Sequence, residues 1–207
     1  MYADRADAGR RLAARLAELE LRAVVVLGLP RGGVPVAHEV ATALHAPLDV
    51  IVVRKLGVPS HPELAMGAIG EGGFEVLDRG TLARAGVTET ELRRVEETER
   101  AELAARVERL RRHRERVDLT GRVAVIVDDG VATGATARVA CEVARHLGAA
   151  RVVIAVPVGP ADAIADGLGA DEIVCPETPA PFHAVGQHYD DFSETTDDEV
   201  AALLDGG

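Results

Sequence analysis

The sequence predicts an α/β fold with one mainly parallel central sheet flanked by helices. Short apolar, β-branched runs alternate with amphipathic helical segments, which is typical of strands buried on both faces of a sheet. The chain has 207 residues, 47% hydrophobic and 28% charged, enough for one large core but short for two. We therefore predict a single domain over residues 1–207 with its core at about 21–175.

Each predicted element follows from a local pattern. Leucines at helical spacing indicate an amphipathic first helix, and β-branched runs indicate strands. Thr88 and Glu91, at capping-box spacing, indicate the start of a long charged helix. In chain order we predict a helix at about 5–20, a strand at 23–30, a helix at 34–45, a strand at 48–54, a mobile loop from 55, short strands near 68 and at 74–77, a helix at 88–116, a strand at 122–127, a helix at 135–147, a strand at 151–157, a helix at 162–168 and a strand at 171–175.

The long helix carries a narrow apolar stripe on an otherwise charged surface. Its charges have both signs, which argues against an RNA-binding arm. We expect the stripe to cover the sheet, and a contact in a homodimer is the alternative. The stripe residues are Leu92, Val95, Leu103, Val107 and Leu110.

Composition excludes several function classes. The formal net charge of −11 argues against a general nucleic-acid or membrane-surface binder, because both of those partners are negatively charged. No run of about 18 apolar residues is present, and the first residues lack an apolar signal core, so we expect a cytoplasmic protein. Cys141 and Cys175 fit no CxxC metal pattern and are expected to be reduced core thiols.

Three chemically unusual segments follow three predicted strands. They are PRGG at Pro30–Gly33, RK at Arg54–Lys55 and DDGVATGAT at Asp128–Thr136. In a parallel sheet, ligands bind outside the carboxyl ends of the strands, where all three segments fall. The sequence therefore predicts a ligand site at this edge.

The acids Asp128 and Asp129 lie at the exit of an apolar strand, where two adjacent carboxylates repel each other unless something accepts them. Vicinal sugar hydroxyls or a metal would do so. The following segment enters a helix, whose free N–H groups and dipole favour a phosphate. Gly130 and Gly134 allow close backbone approach, and Thr133 and Thr136 add hydroxyl donors. Together these groups describe a ribose 5-phosphate site.

Other phosphate motifs do not fit. No lysine follows Gly134 as a Walker A loop requires, and no GxGxxG follows a strand. Acids that merely cap a helix are the structural alternative, although a cap normally uses one such residue. The stretch resembles the phosphoribosyl-diphosphate (PRPP) motif of the type I phosphoribosyltransferases: Val123–Val127, then Asp128 and Asp129, then T-G-x-T. Gly130 departs from that family's usual aliphatic residue.

The resemblance implies roles for further residues. PRGG matches the family's pyrophosphate loop, with Arg31, Gly32 and Gly33 as contacts, and Arg54 and Lys55 match its basic residues. The segment Lys55–Glu63 looks like the mobile catalytic loop. PRPP would be bound by Asp128, Asp129, Gly130, Val131, Ala132, Thr133, Gly134, Ala135 and Thr136.

The tail from Cys175 to Phe192 is similar to the hood of purine phosphoribosyltransferases. The resemblance implies a small hood at about 176–207 with the N-terminal helix, and an acceptor site at Phe182, His183 and Val185. Val185, Gly186 and Asp190 match when the glycines are aligned, which puts His183 rather than Phe182 at the stacking aromatic's place. Asp190 is the candidate metal ligand. A metal set of His61, His183 and His188 has no common spacing.

The resemblance also implies a reaction: a nitrogen nucleophile displaces pyrophosphate from C1 of PRPP with Mg²⁺, which PRPP itself would mainly hold. Asp128, Asp129, Lys55 and Arg31 would be the catalytic residues, with Asp129 the general base by position. A nucleobase or a related small molecule is the expected acceptor, and a homodimer the expected assembly. The alternatives are a non-catalytic PRPP sensor on the same fold and a sugar-phosphate phosphohydrolase.

Overall fold

The computed structural model describes residues 1–112 and 114–206 of the chain. Its strands are β1 (Val24–Gly28), β2 (Leu48–Val50), β3 (Val53–Val58), β4 (His61–Gly70), β5 (Glu75–Leu77), β6 (Val123–Val127), β7 (Arg151–Ala155) and β8 (Glu172–Val174). Its helices are α1 (Arg5–Ala17), α2 (Gly33–Leu44), α3 (Arg79–Ala85), α4 (Glu89–Arg111), α5 (Ala135–His146), α6 (Ala161–Ala165) and α7 (Asp197–Asp205).

A five-stranded parallel sheet forms the centre of the molecule, in the order β2-β1-β6-β7-β8. The predicted fold class is confirmed. The register pairs Gly28 with Val127 and Val127 with Ala155, so β1, β6 and β7 end at one level. Since all the strands run the same way, the segments that follow β1 and β6 emerge side by side.

The core lies on both faces of this sheet. Alternate residues of β1 point to opposite sides: Val26 belongs to one buried cluster, and Val25 and Leu27 belong to the other. Cys141 is buried in the second cluster and Cys175 packs against it, and neither forms a disulfide. Burial raises the pKa of these thiols to about 12 and about 11, which keeps them protonated.

A small antiparallel sheet corrects two predictions. The single strand expected at 48–54 is divided, since β2 ends at Val50 in the main sheet and β3 begins at Val53 in a second sheet, β3-β4-β5. The loop expected from Lys55 is instead a hairpin in which Lys55 pairs with Ala68. Register shifts next to Gly57 interrupt the alternation, which is why the sequence shows no strand period there.

The helices agree with the predicted pattern, with shifted ends. The α4 capping box is present, but α4 ends at Arg111 because Arg112 adopts a left-handed conformation, with φ 43°. The apolar stripe of α4 packs against the core, as expected. Helices α3 and α7 were not predicted. None of the described helices is long and apolar enough to cross a bilayer.

The two terminal segments pack together beside the carboxyl edge of the sheet. Tyr2 forms a β-bridge with Tyr189, and its hydroxyl donates to the carbonyl of Pro157 over 3.0 Å. The rings of Tyr2 and Tyr189 lie 5.5 Å apart, and Tyr189 also packs on Phe192, with 5.0 Å between the ring centroids. This aromatic cluster fixes the tail against the loop that follows β6.

Candidate active site

The loop after β1 lies directly against the loop after β6. A Cβ atom on Gly32 would sit 2.0 Å from Asp129 Oδ2, and one on Gly33 would sit 2.6 Å from the carbonyl oxygen of Val127. Both distances are shorter than any side chain allows, so the approach depends on the two glycines. The predicted segments PRGG and DDG therefore form one site.

The segment after the two acids forms a small cradle at the start of α5. Its cavity of about 190 Å³ is lined by Asp128, by residues 130–137 and by Val185. Gly134 has φ 76°, and a Cβ there would lie 2.1 Å from Leu168, so only glycine fits. The first N–H groups of α5 lack helical partners and point toward this cradle, which suits a phosphate.

Asp128 and Asp129 are half-buried at the mouth of the cradle. Burial raises the pKa of Asp128 well above its usual value, and repulsion from Asp129 adds to the rise. Burial also raises the pKa of Asp129, although Arg5 opposes the rise. Arg5 Nε donates to Asp129 Oδ2 over 2.8 Å. It is therefore costly for both carboxylates to be ionised here without a partner.

Arg5 is held in place by the tail as well. Its Nη1 donates to the carbonyl of Ser193 over 2.7 Å, and its guanidinium lies 4.0 Å from the centroid of the Phe192 ring. The Tyr189 hydroxyl donates to the carbonyl of Asp129 over 2.5 Å. The terminal segments therefore position the second acid of the pair.

Gly130, the residue that departs from the family pattern, makes room for Val185. A Cβ on Gly130 would lie 2.5 Å from Val185 Cγ1. Val185, predicted as an acceptor contact, therefore reaches the cradle. Phe182 and His183 do not line it: the Phe182 ring stacks on His188 at 5.6 Å between centroids, and His183 is exposed.

The predicted cations Arg31 and Lys55 each pair with a carboxylate. Arg31 pairs with Glu194 of the tail, and the Pro30–Arg31 peptide is cis. Lys55 Nζ lies 3.5 Å from Glu63 Oε2 across the hairpin. A cleft of about 610 Å³ joins Pro30, Lys55 and Thr136, so it reaches from the β1 loop to the start of α5.

Arg54 does not contribute a free charge to this cleft. Its Nε donates to Glu99 Oε2 over 2.7 Å, and its Nη2 pairs with Glu102, both on α4. These carboxylates neutralise the guanidinium in place. Arg54 therefore links the hairpin to α4 and lines the cleft together with Lys55, and its role as a ligand contact stays a prediction.

A family model described as a phosphoribosyl transferase domain matches residues 2–174, more than half of the chain. The chain belongs to the phosphoribosyl transferase family. Two Mycobacterium tuberculosis proteins, both named "Putative phosphoribosyl transferase", are 60% identical to it over 206 residues, or 99% of this chain. The match takes up 46% of each of them, so the chain spans about half the length of the curated relatives it matches.

The crystal structure of TT1426 from Thermus thermophilus has the same fold as this phosphoribosyl transferase domain. It is 47% identical, with a TM-score of 0.88, and the match covers 98% of this chain and 97% of that one. The predicted resemblance to the type I phosphoribosyltransferases is confirmed at the level of family and fold.

The metal ligands of this phosphoribosyl transferase family member stay a prediction. The described residues contain no group of three or more His, Cys, Asp or Glu side chains that could hold a metal ion. Asp190 is exposed, and its backbone N–H donates a hydrogen bond to the carbonyl of Tyr2. Of the three histidines whose spacing fits no common metal pattern, His61 contacts the Ser60 hydroxyl through Nδ1, and His188 stacks on Phe182.

Four residues at the site were missed by sequence reasoning: Arg5, Arg106, Tyr189 and Glu194. Tyr189 had a usable signal, because only five aromatic residues occur in the chain and this one follows the predicted acceptor segment. Arg5 and Glu194 are far from the motifs in sequence and reach them only through the packing of the two termini. Arg106 sits on the charged helix α4, whose surface charges gave no sign of it.

Proposed function

We propose that this protein is a phosphoribosyltransferase that displaces pyrophosphate from C1 of PRPP with a nitrogen nucleophile. One observation carries the proposal: Gly32 and Gly33 bring the cationic β1 loop into contact with the Asp128–Asp129 pair and the cradle. A ligand with a diol, a 5-phosphate and a pyrophosphate on one ribose needs three binding elements at neighbouring positions: the acid pair, the cradle and the β1 loop. The expected acceptor is a nucleobase or related small molecule.

Each of these binding elements contacts a different part of PRPP. Asp128 and Asp129 accept hydrogen bonds from the ribose hydroxyls, and N–H groups within residues 132–136 bind the 5-phosphate. Arg31, Lys55 and the N–H group of Gly32 bind the pyrophosphate and offset the charge that develops as it leaves. The C1–N bond forms as the C1–O bond breaks, through a transition state with oxocarbenium character.

The hairpin β3–β4 is placed to exclude water from C1. Lys55 and Glu63 lie on its two strands, and Pro59 and Pro62 line the cleft near its turn. Closure over the bound ligand keeps water from competing as the nucleophile. The proton lost from the nitrogen goes to Asp129, whose raised pKa makes it a stronger base than a surface carboxylate.

Magnesium fits this site if most of its ligands come from PRPP. Asp128 and Asp129 are the carboxylates beside the cradle, and Arg5 already occupies Asp129 Oδ2. Two carboxylates are too few to enclose the ion but suit one that is shared with diol and phosphate oxygens. The ion supplies charge neutralisation on the pyrophosphate.

The test is a panel of nucleobases and simple amines with PRPP and Mg²⁺, scored by pyrophosphate release. We expect one acceptor to give release that is abolished in the Asp128→Asn/Asp129→Asn double variant. The Asp162→Asn variant, changed at the exposed start of α6, serves as the charge control.

The alternative functions give different readouts in the same assay. A PRPP sensor binds PRPP in the wild type without release under any acceptor. A phosphohydrolase releases inorganic phosphate without a nucleobase. Either pattern overturns the transferase proposal. The expected homodimer is a further proposal, which sedimentation of the purified protein would test.

A further inference from the structure

Helix α4 places one arginine directly over the β1 loop. Arg106 Nη2 donates to the carbonyl of Pro30 over 3.3 Å. The side chain is half-buried and lines the 610 Å³ cleft that also contains Lys55 and Thr136. It also borders a second cleft of about 340 Å³ on the other side, which Arg31 and Arg54 share.

The neighbouring cations are compensated by carboxylates, and Arg106 is not. Arg31 pairs with Glu194, Arg54 with Glu99 and Glu102, and Lys55 with Glu63. Among the described residues, Arg106 has no carboxylate within ion-pair distance, and its one hydrogen bond is the long contact with Pro30.

The electrostatic setting of Arg106 agrees with an uncompensated cation. Burial lowers the pKa of Arg106 from its usual value, and the charges of Arg31, Arg54 and Arg109 lower it further, against the opposing effect of Asp197. A half-buried guanidinium among like charges is destabilising unless an anion joins it. Its fork of five N–H donors matches phosphate oxygens.

We propose that Arg106 is a further pyrophosphate-binding residue, which contacts the leaving group from the α4 side while Arg31 contacts it from the β1 loop. The assignment deepens the proposed function and rests on it. The position selects the pyrophosphate over the 5-phosphate, because Arg106 contacts Pro30 at the start of the β1 loop, whereas the 5-phosphate cradle begins after Asp129.

The experiment compares Arg106→Met with Arg93→Met in binding titrations with PRPP, inorganic pyrophosphate and ribose 5-phosphate. Arg93 lies on the same helix in an exposed pair with Glu89, so its variant matches the change in charge. For Arg106→Met we expect affinity for PRPP and pyrophosphate to fall about 10- to 100-fold, and affinity for ribose 5-phosphate to fall less than about 3-fold. Arg93→Met should bind all three ligands like the wild type.

A structural role for Arg106 gives a different pattern. If Arg106→Met binds PRPP like the wild type, or loses ribose 5-phosphate to the same extent, the assignment is wrong. Should Arg106→Met fail to fold, Arg106→Lys keeps a charge without the planar fork, and we expect it to lose a smaller part of the pyrophosphate affinity. Unchanged pyrophosphate affinity in Arg106→Lys would overturn a fork-specific contact.

The two proposals fail separately. If PRPP binding depends on Arg106 but no acceptor gives pyrophosphate release, the transferase proposal fails and the Arg106 contact stands. If the wild type releases pyrophosphate and Arg106→Met binds PRPP equally well, the transferase stands and the Arg106 contact fails. A wild type that binds neither PRPP nor pyrophosphate overturns both.

Discussion

The two sides of the site are built in opposite ways. The proposed ribose and 5-phosphate side is one continuous segment, Asp128–Thr136, which offers main-chain N–H groups and a helix start. The proposed pyrophosphate side has its cations on separate elements: Arg31 on the β1 loop, Lys55 on the hairpin and Arg106 on α4. Main-chain donors need no counter-charge, whereas clustered cations do.

This difference shows in what the charged side chains contact. On the pyrophosphate side, Arg31 forms an ion pair with Glu194, and Lys55 forms one with Glu63. On the ribose side, Arg5 occupies Asp129. In the proposed site we expect ligand binding to exchange the partners of these charged groups, whereas the cradle needs no such exchange. Substitutions on the two sides test this difference.

Gly33→Ala should separate the two sides and so have the largest effect. The added Cβ would meet the main chain of Val127 and Asp128, which has little freedom to move. We expect affinity for PRPP to fall about 100-fold, because a shift of about an ångström between the two loops prevents one ligand from contacting both of them correctly. Titration calorimetry measures the affinity for PRPP. The affinity for ribose 5-phosphate should be much less affected.

Gly80→Ala is the matched control for that variant. A Cβ on Gly80 would meet only the side chains of Arg84 and Asp78, at 3.1 Å and 3.2 Å. PRPP affinity in Gly80→Ala should equal that of the wild type. If Gly33→Ala also binds PRPP normally, contact between the two loops is not needed for binding.

Arg31→Ala should affect the pyrophosphate side alone. We expect affinity for PRPP to fall about 10- to 30-fold and affinity for ribose 5-phosphate to change little, since a charge-assisted hydrogen bond to the pyrophosphate is lost. Arg15→Ala, which removes an exposed pair with Glu18, is the control. Equal losses for both ligands would contradict the pyrophosphate assignment of Arg31.

Asp128→Asn should weaken binding of the ribose and raise the stability of the folded protein. Burial raises the pKa of Asp128 in the folded protein, so the folded state binds this proton more tightly than the unfolded chain. Stability is then greatest below the unfolded pKa of about 3.9 and falls as the pH rises through the folded pKa. Removing the charge should raise the free energy of unfolding at pH 7 by about 1 kcal/mol.

Denaturant unfolding at several pH values measures this effect. The wild type should lose stability relative to Asp128→Asn as the pH rises above about 4. Glu97→Gln, on the exposed face of α4, should leave the pH dependence of the wild type unchanged. Parallel curves for Asp128→Asn and the wild type would mean that Asp128 is not penalised by burial.

Glu194→Gln should have the smallest effect, and in the opposite direction. Removing the carboxylate frees Arg31 for the ligand, and exposed ion pairs of this kind contribute little. We expect affinity for PRPP to rise about 2- to 5-fold, measured against Glu18→Gln, which should bind like the wild type. A fall in affinity would show that Glu194 supports the site instead of competing for it.

The proposed ribose side is a local feature of the sequence. The apolar strand, the two acids and the glycines and threonines are contiguous, so their order alone implies the geometry. The hairpin was predicted as a loop because prolines and register shifts at Gly57 hide its strand period. The ion pairs of Arg54 could not be predicted either, because α4 supplies Glu99 and Glu102 from 45 and 48 positions away.

By itself, then, the sequence determined the fold class and the segment at Asp128–Thr136, because periodicity and spacing act over a few residues. Only the tertiary structure decided which charges meet. Arg5 reaches Asp129 across 124 positions and Glu194 reaches Arg31 across 163, through the packing of the two termini. Arg106 is left uncompensated because helix α4 crosses the β1 loop, and no local pattern encodes that crossing.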